Sequence, residues 1–365
     1  MKVALVYDRV NKFGGAERVL LALHQIWPDA PLYTSVYDKS AAPWAETFDV
    51  RTSFLQKLPL PKNAHEYYPY LMGMAFESLN FDEFDVVISV TSEFAKAIIT
   101  RPQTLHVCYC LTPVGYLWSG YSQYFSGKPA WFRTLTKPII AYLRWYDKII
   151  SQRPDLYVTI SQTVRERIKK YYQRDSEVVY PPVNVPKISN FKFQISNYFL
   201  VVSRLVPQKR IDIVIEAFNR LGLPLLIVGT GNQQARLEHL ADSNIRFVGQ
   251  VSDEKLEEYY SACRAVVIPA EEDFNLVAVE AQSFGKPVIA YGAGGATETI
   301  IAGQTGWFFK SPTAASLADS LVKINPDTID PRLCQKNARR FSQIRFEQDF
   351  RRFVGQSFER YVRNS

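Results

Sequence analysis

Short apolar runs alternate with helical patterns along almost the whole chain. Val3–Tyr7 is an apolar run of strand length. After Gly14-Gly15, apolar residues recur at Ala16, Leu20, Leu23 and Trp27, the spacing of one helix face. Asp85–Ser89, Leu105–Cys110, Leu156–Ile160 and Val178–Tyr180 read as further strands. Pro181-Pro182 then stops regular structure, and Val183–Asn197, without any period, reads as a linker. The alternation restarts with strands at Phe199–Val202, Leu225–Val228, Ile245–Val248, Ala265–Ile268 and Pro287–Ala290, and a helix at Ile211–Leu221. Alternating β and α with apolar strands means parallel sheets covered on both faces. Two such runs predict an α/β protein of two Rossmann-like domains, 1–182 and 183–341, facing each other. The last stretch, Phe341–Tyr361, is helical and amphipathic; Phe346, Phe350, Phe353 and Phe358 are expected to form its docking stripe.

Composition narrows the class. A chain of 365 residues fits two domains of roughly 150 residues each. With 22 % charged and 47 % hydrophobic residues it is neither disordered nor fibrous. No apolar run approaches the roughly 18 residues of a spanning helix. Met1–Asp8 has too short an apolar core for a signal peptide. Four cysteines make no disulfide framework, so the cytosol is the expected compartment. The net charge of +7 is concentrated. Lys128, Arg133, Lys137, Arg144, Lys148 and Arg153 face only Asp147, a local +5 interleaved with Trp131, Phe132, Tyr142, Trp145 and Tyr146. A second +5 stretch runs from Gln335 to the C-terminus. Basic residues among aromatics suit a membrane surface or a polyanion. Solvated helix faces over a core are the plainer reading.

The chemistry concentrates in Pro269-Ala-Glu-Glu-Asp-Phe-Asn-Leu-Val-Ala-Val-Glu-Ala281. A strand ends at Pro269, an acidic loop follows, and a helix is expected from Asn275 or Leu276 to a C′ glycine at Gly285. The first amides of that helix lack intrahelical partners and sit at a positive dipole end, which suits a phosphate. Glu280 lies about one turn in, and helical side chains lean back toward the N-terminus. Glu272 sits in the loop on the other side. Two carboxylates around an anion site suit a ligand with phosphates and hydroxyls, such as a nucleotide sugar. Arg204 and Lys209 follow the Phe199–Val202 strand, at the carboxyl edge where open α/β sheets bind ligands. Fixed cations there would stabilise a departing diphosphate.

The Glu272–x7–Glu280 spacing, the Ser203-Arg-Leu-x3-Lys209 run and the Gly14-Gly15 loop together resemble the retaining glycosyltransferases of family 4 over nearly the whole chain. His106-Val-Cys-Tyr-Cys-Leu-Thr-Pro, Tyr180-Pro-Pro-Val and Glu271-Glu-Asp-Phe resemble a bacterial branch that includes O-antigen mannosyltransferases. The resemblance implies a GT-B fold, two Rossmann-like domains across a cleft with the C-terminal helix, 342–365, crossing back to the first. It implies that Arg204 and Lys209 grip the donor diphosphate and that Glu280 binds the ribose. Glu272 and the backbone of Phe274, Asn275, Leu276 and Val277 would hold the sugar and distal phosphate. Gly14 and Gly15 would let the backbone approach the diphosphate, and the Gly249 loop would flank the base. Two positions depart from the family pattern. Gly-Phe-Gly is replaced by Asp273-Phe274-Asn275, and Asn tolerates a left-handed backbone or caps a helix. Leu111 stands where the branch often has a histidine, so only its backbone can serve there.

The expectation is therefore a metal-independent retaining hexosyltransferase with no cofactor, its nucleotide-sugar donor being a co-substrate. The acceptor, a glycan or lipid-linked glycan, is expected in the N-terminal domain at Tyr109, Leu111, Thr112, Pro113, Tyr116 and Trp118. GDP-mannose is the favoured donor, and no nucleic-acid partner is expected. No Asp-x-Asp pair or His/carboxylate cluster points to a metal. An anionic membrane surface is an expected partner, at the inner face of the plasma membrane. A nucleotide-sugar epimerase or hydrolase of the same fold, or a non-catalytic sugar-nucleotide binder, stay open as alternatives. His24 and His239 are expected on helix surfaces, and Gly294-Gly295 as either a backbone contact or a βα turn.

Overall fold

A computed structural model describes residues 1–58, 69–125, 127, 129–184 and 197–364. His65, Lys128 and most of the segment expected as a linker lie outside the described residues. The chain divides into two units, Met1–Pro182 with Phe346–Ser365, and Val183–Arg345.

The first unit holds seven strands: β1 (Val3–Tyr7), β2 (Leu32–Thr34), β3 (Val50–Thr52), β4 (Val86–Thr91), β5 (Leu105–Cys110), β6 (Leu156–Thr159) and β7 (Glu177–Val178). They lie parallel in the order β3-β2-β1-β4-β5-β6-β7. The central strands β1, β4 and β5 are buried at every residue, which explains their lack of polar alternation. The helix Gly15–Ile26 turns Val19, Leu20, Leu23 and Ile26 inward. The last helix, Gln343–Asn364, packs within this unit. Its Phe350 ring lies 6.1 Å from Trp27 and 5.5 Å from Tyr109. The expected stripe is corrected: Phe353 and Phe358 are only half-buried, and Val354 continues the buried line of Phe346 and Phe350. Steps of four residues keep 346, 350 and 354 on one face.

The second unit holds β8 (Phe199–Val202), β9 (Leu225–Val228), β10 (Ile245–Gly249), β11 (Val266–Ile268), β12 (Val288–Tyr291) and β13 (Gly306–Phe309). All are parallel, in the order β10-β9-β8-β11-β12-β13. In each sheet the chain moves outward from a central strand and then returns to that strand's other side. The order therefore reverses between β1 and β4, and again between β8 and β11. Each reversal leaves a crevice at the carboxyl ends of the strands, the place where such sheets bind ligands.

Candidate functional site

The second unit's crevice is framed by the loop after β8 and the loop after β11. Lys209 closes the first and Glu272 lies in the second. Lys209 Nζ sits 2.5 and 2.6 Å from the two oxygens of Glu272. The pair stays partly open to solvent, with side chains 22 % and 23 % exposed. Arg204, on the same loop as Lys209, is exposed. The acidic loop ends at Asn275, which caps the helix Leu276–Ser283. Asn275 has φ +77°, in the left-handed region, and its Oδ1 accepts from the Ala278 amide at 3.3 Å. The first-turn amides of Leu276 and Val277 precede any intrahelical acceptor. Phe274 turns its ring into the core against Phe341, 5.5 Å away, so only its backbone faces the crevice loop.

Glycines hold these loops in place. Gly229 and Gly231, after β9, lie under the loop after β8: a Cβ on them would come 2.0 Å from Ser203 O and 2.2 Å from Leu205 O. Leu205 N donates to Thr230 O at 2.8 Å, so the loop carrying Arg204 is laid along this backbone. Gly294 and Gly295, after β12, support the acidic loop in the same way. Gly295 N donates to Glu272 O at 2.7 Å, and a Cβ there would meet Phe274 Cα at 2.4 Å. Gly294-Gly295 is thus the buttress of Glu272, a role the pattern left open between two readings. Gly249 ends β10 at φ +70°, and its carbonyl accepts from Gly229 N at 2.8 Å. Glu280 is held by Tyr260, whose hydroxyl donates to Glu280 Oε2 at 2.9 Å. Tyr260 is buried and stacked on Phe284, so this orientation is built into the core. Sequence reasoning missed Tyr260, because no spacing links its helix to Glu280.

In the first unit the crevice between β1 and β4 centres on Asp8, which the sequence reading also missed. Its carboxylate accepts from Thr91 Oγ1 and from the amides of Ser92, Glu93, Phe94 and Ala95, at 2.8 to 3.1 Å. Arg9 and Glu93 pair beside it at 2.5 Å. Gly14 caps the helix Gly15–Ile26 with an extended backbone. A Cβ on Gly14 would meet Glu17 Oε2 at 3.2 Å, and Glu17 is itself held by the Tyr7 hydroxyl at 2.6 Å.

The loop after β5 carries the residues expected to meet an acceptor. Leu111 is half-buried and its amide donates to Thr91 O at 2.8 Å. Thr112 Oγ1 is buried without a hydrogen-bond partner. Tyr116 is half-buried, its ring 6.2 Å from Tyr124. Trp118 stacks on Tyr171 at 5.0 Å, and its Nε1 donates to Asp147 at 2.7 Å. Asp147 in turn pairs with Lys96 at 2.8 Å, both wholly buried. Tyr109 is corrected: the ring is fully buried, packed edge-on against Phe346 and Phe350, and its hydroxyl donates to Val179 O at 2.8 Å. It serves the core, as an inward position of a central strand must. His24 is corrected likewise; it is half-buried against Phe48, at 4.2 Å. His106 is buried, its Nε2 2.8 Å from Ser89 Oγ, and burial with the nearby charges of Arg153 and Arg174 pushes its pKa down to about 3. Among the described residues no group of three or more His, Cys, Asp or Glu is placed to hold a metal.

Residues 187–341 match the family model of glycosyl transferases group 1. The O-antigen chain mannosyltransferase C of Escherichia coli is 27 % identical over 221 residues, 56 % of this chain and 58 % of that protein. The GDP-mannose-dependent monoacylated alpha-(1-6)-phosphatidylinositol monomannoside mannosyltransferase of Corynebacterium glutamicum is 32 % identical over 143 residues, 35 % of this chain and 37 % of that one. The chain thus spans at most 58 % of the length of these two curated relatives. Among solved structures, Anabaena HepE in complex with UDP and glucose superposes with a TM-score of 0.71 at 20 % identity, covering 97 % of this chain and 99 % of that one. That likeness speaks for the fold alone: two Rossmann-like units of the GT-B class.

Proposed function

Because residues 187–341 match the family model of glycosyl transferases group 1, we propose that this chain is a retaining glycosyltransferase that moves a hexose, mannose from GDP-mannose, onto a hydroxyl of a glycan or lipid-linked glycan. The observation that carries this reading is the contact of Lys209 with Glu272 at a sheet reversal, beside a helix N-terminus and one turn from Glu280. Each group has a chemical use there. Lys209 and Arg204 bring positive charge to a diphosphate, and the amides of Leu276 and Val277 donate to its distal phosphate. Glu280, held by Tyr260, takes ribose hydroxyls. Glu272 exchanges its Lys209 contact for sugar hydroxyls when the donor enters, leaving Lys209 to the phosphate. In the transfer, the bond from the sugar C1 to the diphosphate oxygen breaks and the acceptor oxygen bonds to C1. The acceptor proton passes to the departing diphosphate, whose growing charge the fixed cations stabilise. No enzyme nucleophile and no metal takes part. The two mannosyltransferase relatives, one of them named as GDP-mannose-dependent, support the choice of mannose and guanosine. The Leu111–Trp118 loop is the proposed acceptor side.

The test is transfer from GDP-mannose, with UDP-, ADP- and TDP-sugars in parallel, to a mannose-terminated oligosaccharide in EDTA. The expected product keeps the donor's anomeric configuration by NMR. Free mannose as the only product would mark a hydrolase, and donor binding with no turnover on any acceptor would mark a non-catalytic binder. Either would overturn the reading.

A further inference from the structure

The helix Ala130–Ile150 has two apolar faces, and the core uses only one. Ile140, Leu143 and Ile150 point inward. At about 100° per residue, Trp131, Leu135, Ile139, Tyr142, Trp145 and Ile149 form a second line along the other side, and all six are exposed. Leu135 is 68 % exposed, Trp131 65 % and Trp145 59 %. The line continues onto the helix Pro69–Glu77, where Tyr70 and Met74 are exposed and the Tyr70 ring lies 5.4 Å from Tyr142. A contiguous apolar surface of this kind marks an interaction site.

The charges say what it meets. Arg133, Lys137 and Lys148 are exposed and share a separate strip of the same helix. Its only acid, Asp147, is buried against Lys96. The outer surface of this helix is therefore apolar and cationic, with no carboxylate. A second copy of the chain would bring the same cations to a symmetric contact, and like charges would oppose each other. An anionic bilayer meets both strips: Trp and Tyr rings sit at the headgroup boundary, and lysine and arginine reach the lipid phosphates. We propose that the exposed face of Ala130–Ile150 docks this protein on an anionic lipid bilayer, the helix lying along the surface. No described helix is long and apolar enough to cross one. The inner side of the same helix holds the Leu111–Trp118 loop, through Trp118 Nε1 to Asp147 and Arg144 Nε to Leu117 O at 2.6 Å. Docking would bring that loop to lipid headgroups; only this consequence rests on the proposed acceptor side, and the docking itself does not.

The full chain, without sugar donor, is sedimented with phosphatidylcholine vesicles with and without phosphatidylglycerol. Binding is expected only with phosphatidylglycerol, falling as salt rises and with a blue shift of tryptophan emission. The triple variant Trp131→Ser, Leu135→Ser, Trp145→Ser should bind at least about tenfold more weakly. Arg133→Gln with Lys137→Gln and Lys148→Gln should lose the dependence on phosphatidylglycerol. Circular dichroism and thermal melts, unchanged in both variants, show that they are folded. No vesicle binding, equal binding by the variants, or a dimer in light scattering that the serine variant abolishes would each overturn the proposal. Because no sugar is transferred in these experiments, such a result leaves the transferase reading where it stands.

Discussion

Both sheets tie the loops of their reversal point together through a carboxylate, and they do so in opposite ways. Asp8, between β1 and β4, is 2 % exposed and accepts from five donors of the facing loop. Glu272, between β8 and β11, faces solvent in part and its side chain meets Lys209. A carboxylate whose lone pairs are all taken, in a dry place, can only hold the fold together. A half-open ion pair holds little and can exchange partners for a ligand. The same topology thus yields a clamp in one unit and a candidate site in the other, and satisfaction of hydrogen bonds distinguishes them.

The largest effect expected from this contrast is at the clamp. Asp8→Ala leaves four buried or half-buried amides facing an empty position, each once bonded to a carboxylate. A loss on the order of 4 kcal/mol of stability is expected by urea unfolding. Asp8→Asn, which keeps one acceptor oxygen, should lose less. A stable Asp8→Ala protein that has lost nucleotide binding would reverse the comparison.

Lys209→Ala should behave in the opposite sense. A partly exposed pair contributes at most about 1 kcal/mol to folding. Loss of a cation from a developing diphosphate charge should lower transfer roughly 100-fold or more. Denaturation and initial rates on the same preparation separate the two effects; a large loss of stability with intact transfer would make Lys209 a second clamp.

The contrast between the two carboxylates was only half legible in the sequence. The acidic loop and the Leu276–Ser283 helix stood out because strand, loop and helix follow one another locally, and Asn275 and Gly285 mark the ends. Leu105–Cys110, Phe199–Val202, Leu225–Val228 and Ile211–Leu221 have the bounds that their apolar runs predict. β2 and β3 were not legible: three residues hold too little period, and Leu32–Thr34 is buried through its neighbours. β13, Gly306–Phe309, was hidden by a glycine that a strand pattern disfavours. That glycine is needed because a Cβ would meet Val288 O at 2.0 Å. Asp8 escaped because its partners lie more than 80 residues away. Tyr109 misled because an aromatic at a strand end reads the same whether it faces a ligand or the Phe350 ring.

Within the candidate site the next smaller effect divides the two glutamates. Glu280→Gln keeps its Tyr260 contact but loses the charge proposed to receive a ribose hydroxyl, so GDP affinity should fall about tenfold. Glu272→Gln should leave GDP affinity unchanged and weaken the intact donor and its transfer. Calorimetry with GDP and with GDP-mannose checks the division. Equal losses for both ligands in both variants would show that the pair acts as one unit.

Asn275→Gly is the substitution expected to change least, and the reasons oppose one another. A left-handed backbone at φ +77° is one that glycine adopts freely and asparagine at modest cost. Asn275 Nδ2 is buried without a partner, a penalty that glycine removes. Against this stands the cap, a long 3.3 Å bond to the Ala278 amide, and exchanging an asparagine cap for glycine costs only a few tenths of a kcal/mol. The sum should lie within about 0.5 kcal/mol of zero. Asn275→Ala loses the cap and still carries a Cβ at positive φ, so it should be destabilised by about 1 to 2 kcal/mol. Thermal melts of the three proteins give the order. If Asn275→Gly melts as low as Asn275→Ala, the side-chain cap holds the acidic loop. If it melts with the wild type, the backbone conformation does, and the asparagine stands in for a glycine.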